Sequence, residues 1–224
     1  MNIAEMSYSK IIVITGHYGC GKTNLALNMA ADFSKAGERV TLVDLDIVNP
    51  YFRSSDYQPL LDELGIELIA PTFAHSNVDL PALPAAMGSI FTREGRIIVD
   101  VGGDDAGAVA LGRYARQFSE SEYCMLYVVN QYRVLSQTVS ETVELLREIE
   151  TASRLKADMV VNNSHIMEHT VAKDIFESQA YAQKVAEELG LPLAFTAAER
   201  RFAAELENKV NNLYPVDVLV TKPW

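Results

Sequence analysis

An apolar run at residues 11–15, Ile-Ile-Val-Ile-Thr, leads directly into Gly16-His17-Tyr18-Gly19-Cys20-Gly21-Lys22-Thr23, and a helical pattern follows. Those eight residues fit G-x-x-x-x-G-K-[ST], the phosphate loop. The pattern works only between a strand and a helix. Its glycines let the backbone curl until successive N–H groups face one anion, and the helix adds the positive end of its dipole. Lys22 would reach the β- and γ-phosphates, and Thr23 would hold Mg2+ through its hydroxyl. Gly16, His17, Tyr18, Gly19, Cys20, Gly21 and Asn24 complete the predicted nucleotide-binding stretch. The plainer reading is a glycine-rich turn with a surface lysine and a threonine cap.

The rest of the chain repeats the strand–helix alternation. Continuous apolar runs at 11–15, 40–45, 66–69, 96–101, 124–129, 159–162 and 193–196 read as strands covered on both faces. Helical stretches are predicted at 22–35, 59–64, 80–92, 106–118, 136–151, 171–189 and 199–208. Gly37 and Gly190 stand where helices stop. This alternation predicts an α/β fold, a single doubly wound, mostly parallel sheet with helices on both faces. No linker, repeat or low-complexity tract interrupts it, so residues 1–224 are expected to form one P-loop nucleotide-binding domain.

Composition removes several alternatives. With 49% hydrophobic and 22% charged residues, the 224-residue chain has the balance of a globular protein. Its 19 Lys+Arg against 30 Asp+Glu give a net charge of −11, which argues against nucleic acid as a partner. Cys20 and Cys124 cannot build a disulfide framework or a four-cysteine cluster. No apolar run reaches the ~18 residues of a membrane span, and Glu5 interrupts any signal-peptide order, so a cytoplasmic protein off the membrane is expected.

Three carboxylates stand at predicted strand ends. Asp44 and Asp46, at i and i+2 of Val-Asp-Leu-Asp, point the same way at the carboxyl edge where doubly wound sheets bind ligands. Asp100 ends Arg-Ile-Ile-Val-Asp, a position suited to a Mg2+ shell. Asp104 and Asp105 read equally well as helix caps.

Taken together, the loop with its Lys-Thr, the helix, Val-Asp-Leu-Asp and the later Ile-Ile-Val-Asp resemble the MinD/ParA/CobQ-type (SIMIBI class) P-loop ATPases, from residue 11 to about 206. The resemblance implies ATP and Mg2+ as cofactors, Lys22 and Asp46 as catalytic residues, and Thr23, Asp44 and Asp100 around the metal. It further implies Asn162 beside the adenine, a nucleotide-dependent homodimer and a protein client. Where many relatives carry a second loop lysine, this chain has His17. Gly107 stands where the iron protein of nitrogenase has its cluster ligand. The C-terminal stretch 211–224, broken by proline, lacks a basic membrane helix. Neither Asn130-Gln131-Tyr132-Arg133 nor Asn162-Asn163-Ser164-His165 supplies the Asp of a guanine-reading Asn-Lys-x-Asp, which favours ATP.

The alternative is a small-molecule kinase or ATP-dependent ligase of the CobQ/dethiobiotin synthetase kind, its acceptor pocket drawn from 49–53, Arg113 and 71–78. The segment 49–53 also reads as a nucleotide-sensing switch or as a packed loop. His75 reads as a loop residue. Arg113 and Arg116 share a face on a helix, as ion-paired surface residues or as an interface. His165-Ile-Met-Glu168-His169 matches H-x-x-E-H, a zinc motif on a helix, but more simply a solvated loop. Cys20, at a helix N-terminus, is expected to have a lowered pKa and a possible redox role. Cys124 reads as a core thiol.

Overall fold

The computed structural model of the protein describes residues 3, 8–46, 57–70, 86–103 and 105–220. The predicted segments 49–53 and 71–78, with His75, and Asp104 lie outside the described residues. So does most of the first half of the helix expected at 80–92, of which Ala86–Ser89 is helical.

Eight strands form one sheet in the order β3-β2-β4-β1-β5-β6-β7-β8. They are β1 (Ile11–Gly16), β2 (Val40–Asp44), β3 (Glu67–Ile69), β4 (Arg96–Asp100), β5 (Tyr123–Val129), β6 (Met159–Asn162), β7 (Leu193–Glu199) and β8 (Leu213–Val216). Every neighbouring pair is parallel. The helices are α1 (Lys22–Lys35), α2 (Gln58–Glu63), α3 (Ala86–Ser89), α4 (Asp105–Gly112), α5 (Ala115–Ser119), α6 (Val139–Ser153), α7 (Ala172–Leu189) and α8 (Ala203–Leu206).

Side chains on a strand alternate between faces, and both faces are covered here. Ile11 and Val13 of β1 join a core with Leu146 of α6 and Val185 of α7. Ile12 and Ile14 join the opposite core with Leu25, Met29 and Phe33 of α1. β1 thus lies mid-sheet between β4 and β5, with its carboxyl end aimed into the crevice where the chain changes direction.

Three expectations change. The helix expected at 106–118 is two helices with a turn at Arg113-Tyr114, so Arg113 and Arg116 do not share a helix face; Arg116 instead pairs with Glu120. The stretch 199–208 is the end of β7, a 3-10 turn at Arg200–Phe202 and the short α8. The last strand, β8, went unpredicted. It contains Pro215, which an edge strand tolerates because its outer side needs no N–H donor.

The segment after β8 folds back over α1. Asn24 donates from Nδ2 to the Asp217 carbonyl at 3.0 Å, and its Oδ1 accepts from Leu219 N at 2.8 Å and Val220 N at 3.2 Å. Asn28 exchanges two bonds with the Asp217 backbone, each 2.8 Å. Arg200 closes the fold-back with two bonds to the Asp217 carboxylate at 2.8 and 3.0 Å.

Candidate functional site

At the carboxyl ends of β1 and β2 the chain opens a cavity of about 740 Å³. Tyr18, Gly19, Gly21, Lys22, Thr23 and Asp46 line its phosphate-loop end; Asn163, Ser164, His165 and the valines 216, 218 and 220 line the other. That volume falls within the ~300–1,000 Å³ of small-molecule sites.

The loop is held from below and from the side. Gly21, at φ 87, takes a left-handed conformation that opens α1. A Cβ on Gly21 would lie 2.4 Å from Asn163 Nδ2, and that amide donates to the Cys20 carbonyl at 2.8 Å. Lys22 is 7% exposed and donates from Nζ to the His17 carbonyl at 3.1 Å, so its ammonium is folded back into the loop. Burial first, with Lys22 and Arg133 nearby, holds His17 toward its neutral form.

Behind Lys22 the strand-end carboxylates meet. Asp44 and Asp100 are register partners across β2 and β4, both buried. The Asp44 carboxylate accepts from Asp46 N at 2.9 Å, a turn that brings Asp46 round to the cavity. Burial, then the Asp44 carboxylate, push the Asp100 carboxyl up to about 7, against the pull of Lys22 and a hydrogen bond from Thr23. Asp100 Oδ1 is buried without a hydrogen-bond partner. An orphaned carboxylate oxygen beside a second carboxylate and a threonine hydroxyl fits a hard divalent cation. Among the described residues no three His, Cys, Asp or Glu form a closed metal cage.

Gly103 lies against the loop from the β4 side. A Cβ there would stand 2.5 Å from Tyr18 Cα, 2.6 Å from Tyr18 N and 2.7 Å from Lys22 Nζ. A methyl group must therefore displace the loop backbone or the ammonium. Gly103→Ala should fold, with turnover lowered about 10²-fold by loop misplacement; steady-state kinetics alongside a melting curve checks this.

Several predicted residues serve otherwise. Asn162 is fully buried; its Nδ2 donates to Ser178 Oγ at 2.9 Å, and its Oδ1 accepts from Ser164 N and Oγ at 3.2 and 2.7 Å. It faces into the fold, and Asn163 to His165 form the cavity wall in its place. Asn24 borders the cavity, but its side chain is engaged with the fold-back at 217–220. Cys20 is fully buried, and burial raises its thiol pKa instead of lowering it, so the redox reading falls. Cys124 is a buried thiol pushed up to about 12 by burial and by Asp158. His165 and His169 are not two ligands on one helix face. His165 is held down to about 4 by burial and by Arg133, while His169 is exposed in a 3-10 turn beside Glu168. Asp105 opens α4 and does not cap it. A side chain at Gly107 would strike the Gly102 carbonyl, its Cβ at 2.4 Å, which leaves no room for a cluster cysteine.

The sequence reasoning missed the fold-back and its valines, because they carry no motif. Over residues 11–221 the sequence matches the family described as CobQ/CobB/MinD/ParA nucleotide binding domain. No curated protein matches. Among solved structures, the fold is similar to the cell division protein FtsY from Thermotoga maritima (16% identity, TM-score 0.55, 88% of this chain and 64% of that one). It is similar to the signal recognition particle 54 kDa protein of Aeropyrum pernix K1, solved in complex with GDP (18%, 0.56, 85% and 41%). Chloroplast FtsY from Physcomitrella patens is a third (16%, 0.56, 86% and 59%). The chain spans less than two thirds of the length of each of these proteins. No helix among the described residues is long and apolar enough to cross a membrane.

Proposed function

Because the chain belongs to the CobQ/CobB/MinD/ParA nucleotide-binding family, which it matches from residue 11 to 221, we propose that it is a cytoplasmic Mg2+-dependent ATPase of MinD/ParA type, a nucleotide-gated switch acting on a protein client. The single sheet that carries every described strand supports reading it as one nucleotide-binding domain. One observation carries the proposal: Lys22, Thr23, Asp44, Asp46 and Asp100 converge at one sheet edge under a cavity large enough for a nucleotide.

In this reading the loop N–H groups and Lys22 hold the phosphates, so that negative charge gathering there in the transition state meets fixed positive charge. Thr23 would hold Mg2+ through its hydroxyl, with Asp44 and Asp100 behind it; bound there, the ion neutralises phosphate charge. Asp46 orients a water whose oxygen bonds to the γ-phosphorus while the bond to the bridging oxygen breaks. ADP leaves with that electron pair, and the water's proton passes to solvent. ATP is favoured because the β6 loop reads Asn-Asn-Ser-His, with a half-buried, neutral His165 where a guanine reader carries Asp.

The test is light scattering with size exclusion on wild type and Asp46→Ala, each with MgADP, MgATP and MgGTP, alongside phosphate release. The expected outcome is ATP binding preferred over GTP, slow hydrolysis by the wild type, and a monomer-to-dimer shift of Asp46→Ala with MgATP alone. Tighter GTP binding would overturn the base assignment. An unchanged mass in every state would remove the switch and turn attention to small-molecule phosphoryl acceptors.

A further inference from the structure

The loop between β5 and α6 is more firmly built than its length requires. Asn130 is fully buried; its Oδ1 accepts from Tyr132 N at 3.0 Å and His165 N at 3.2 Å, and its Nδ2 donates to the His165 carbonyl at 3.2 Å. Ser136, also buried, donates from Oγ to the Asn130 carbonyl at 2.9 Å, and its N–H reaches the Arg133 carbonyl at 3.1 Å. Tyr132 Oη ties the loop outward to the Asp174 carbonyl at 2.9 Å. Leu135 completes the turn at φ 71, a left-handed conformation that is strained for a leucine.

The side chain held in place by this scaffold is Arg133. It lines the nucleotide cavity and lies against Gly19 of the phosphate loop. A Cβ on Gly19 would stand 3.5 Å from its Nε and 3.7 Å from both Cδ and Cζ. Its Nε is buried and without a hydrogen-bond partner, and among the described residues no carboxylate forms an ion pair with it. Its charge is felt at His17 and at His165, behind the effect of their burial. Within 16–23, Lys22 is the one lysine or arginine. A second cation beside it, with a buried donor unmatched, raises the energy of the protein alone. The same arrangement is favourable around an anion, and a guanidinium is the group that grips phosphate with two parallel donors.

The geometry points to Arg133 as a phosphate-binding cation that the chain supplies to its own nucleotide, from the β5–α6 loop, on the Gly19 side of the phosphate loop. The inference rests on the nucleotide site proposed above. It makes the second positive charge of the site intramolecular, available to a monomer before any partner arrives.

The test uses the full chain and calorimetric titration with MgADP and MgATP, on wild type, Arg133→Ala, Arg133→Lys and the remote charge control Arg116→Ala. Arg133→Ala should weaken both nucleotides about 10–100-fold, the range of charge-assisted hydrogen bonds. Arg133→Lys should recover part of that loss, and Arg116→Ala should match wild type. Adenosine without phosphates should compete equally against wild type and Arg133→Ala. The nucleotide-free melting temperature of Arg133→Ala should be unchanged or higher, which a packing role would not give. Affinities of Arg133→Ala within twofold of wild type, or an equal loss for adenosine, would overturn the assignment while leaving the nucleotide site standing. A wild type that binds neither nucleotide would overturn both.

Discussion

Lys22→Ala is expected to lower ATP turnover about 10²–10³-fold, the loss that follows removal of one preorganised electrostatic stabiliser. Lys22 is 7% exposed, and its ammonium is already turned into the loop by its 3.1 Å bond to the His17 carbonyl. Little reorganisation is needed for it to meet a phosphate, so its deletion removes an interaction that strengthens as charge develops. A melting curve should show that the variant is folded. If the rate constant in a coupled phosphate-release assay equalled that of wild type, the loop would have no part in the chemistry.

Asp100→Asn should act in opposite directions on stability and activity. A carboxyl held at about 7 in the folded protein, against about 3.9 unfolded, binds its proton more tightly when folded. Its stability contribution is complete below pH ~4 and is lost as pH rises through ~7. By pH 8 the nucleotide-free wild type holds a charged, buried carboxylate beside Asp44, a penalty that an asparagine avoids. Part of the gain is offset by burying the amide. A rise in melting temperature of several degrees is therefore expected at pH 8, shrinking towards pH 4, at ~2–4 °C per kcal/mol for a chain of this size. In MgATP the order should reverse, because wild type gains the stabilisation of bound Mg2+ and nucleotide, and the variant, lacking the Asp100 carboxylate behind the ion, binds them more weakly and gains less. Scanning calorimetry at pH 4, 6 and 8 reads the first effect. A variant melting below wild type at pH 8 without nucleotide would contradict the buried-carboxylate account.

The parts of this fold legible in the sequence are those where one physical effect dominates. Strands covered on both faces become unbroken apolar runs, so the central ones are found to within one residue at each end, and 159–162 at both ends. Helices with an exposed face show their period, and α1 is found end to end. The misses lie where a distant contact decides. Only glycine fits at 112, because a Cβ there would stand 2.6 Å from the Ala152 carbonyl, and α4 ends at this residue. β8 has no apolar run; it pairs on one side with β7 alone.

Within the site, motif chemistry located the loop and the strand-end carboxylates, because spacing and strand ends are local properties. Which of two adjacent asparagines faces the cavity is not local. One step along a strand reverses a side chain, and Asn163 faces the cavity while Asn162 turns inward. Cys20 reverses for a related reason. The helix N-terminus that would favour its thiolate is outweighed by complete burial. Arg133 carries no motif. Its role depends on a loop fixed by Asn130 and Ser136, which sequence spacing alone does not bring against Gly19.

The fold-back at 217–220 also bears on the order in which this protein can become itself. Asn24 lies two residues past the phosphate-loop lysine, and its partners are 193 to 196 positions further along the chain. Closing so distant a pair is entropically slow and comes late. A ribosome that has made the loop, α1 and the central strands has therefore made a phosphate cradle without the valine wall that completes the cavity. Full affinity for a nucleoside should arrive in one step, only once residue 220 has cleared the exit tunnel. Nucleotide would then act as a late seal on a finished fold, with no part as a template for an early one.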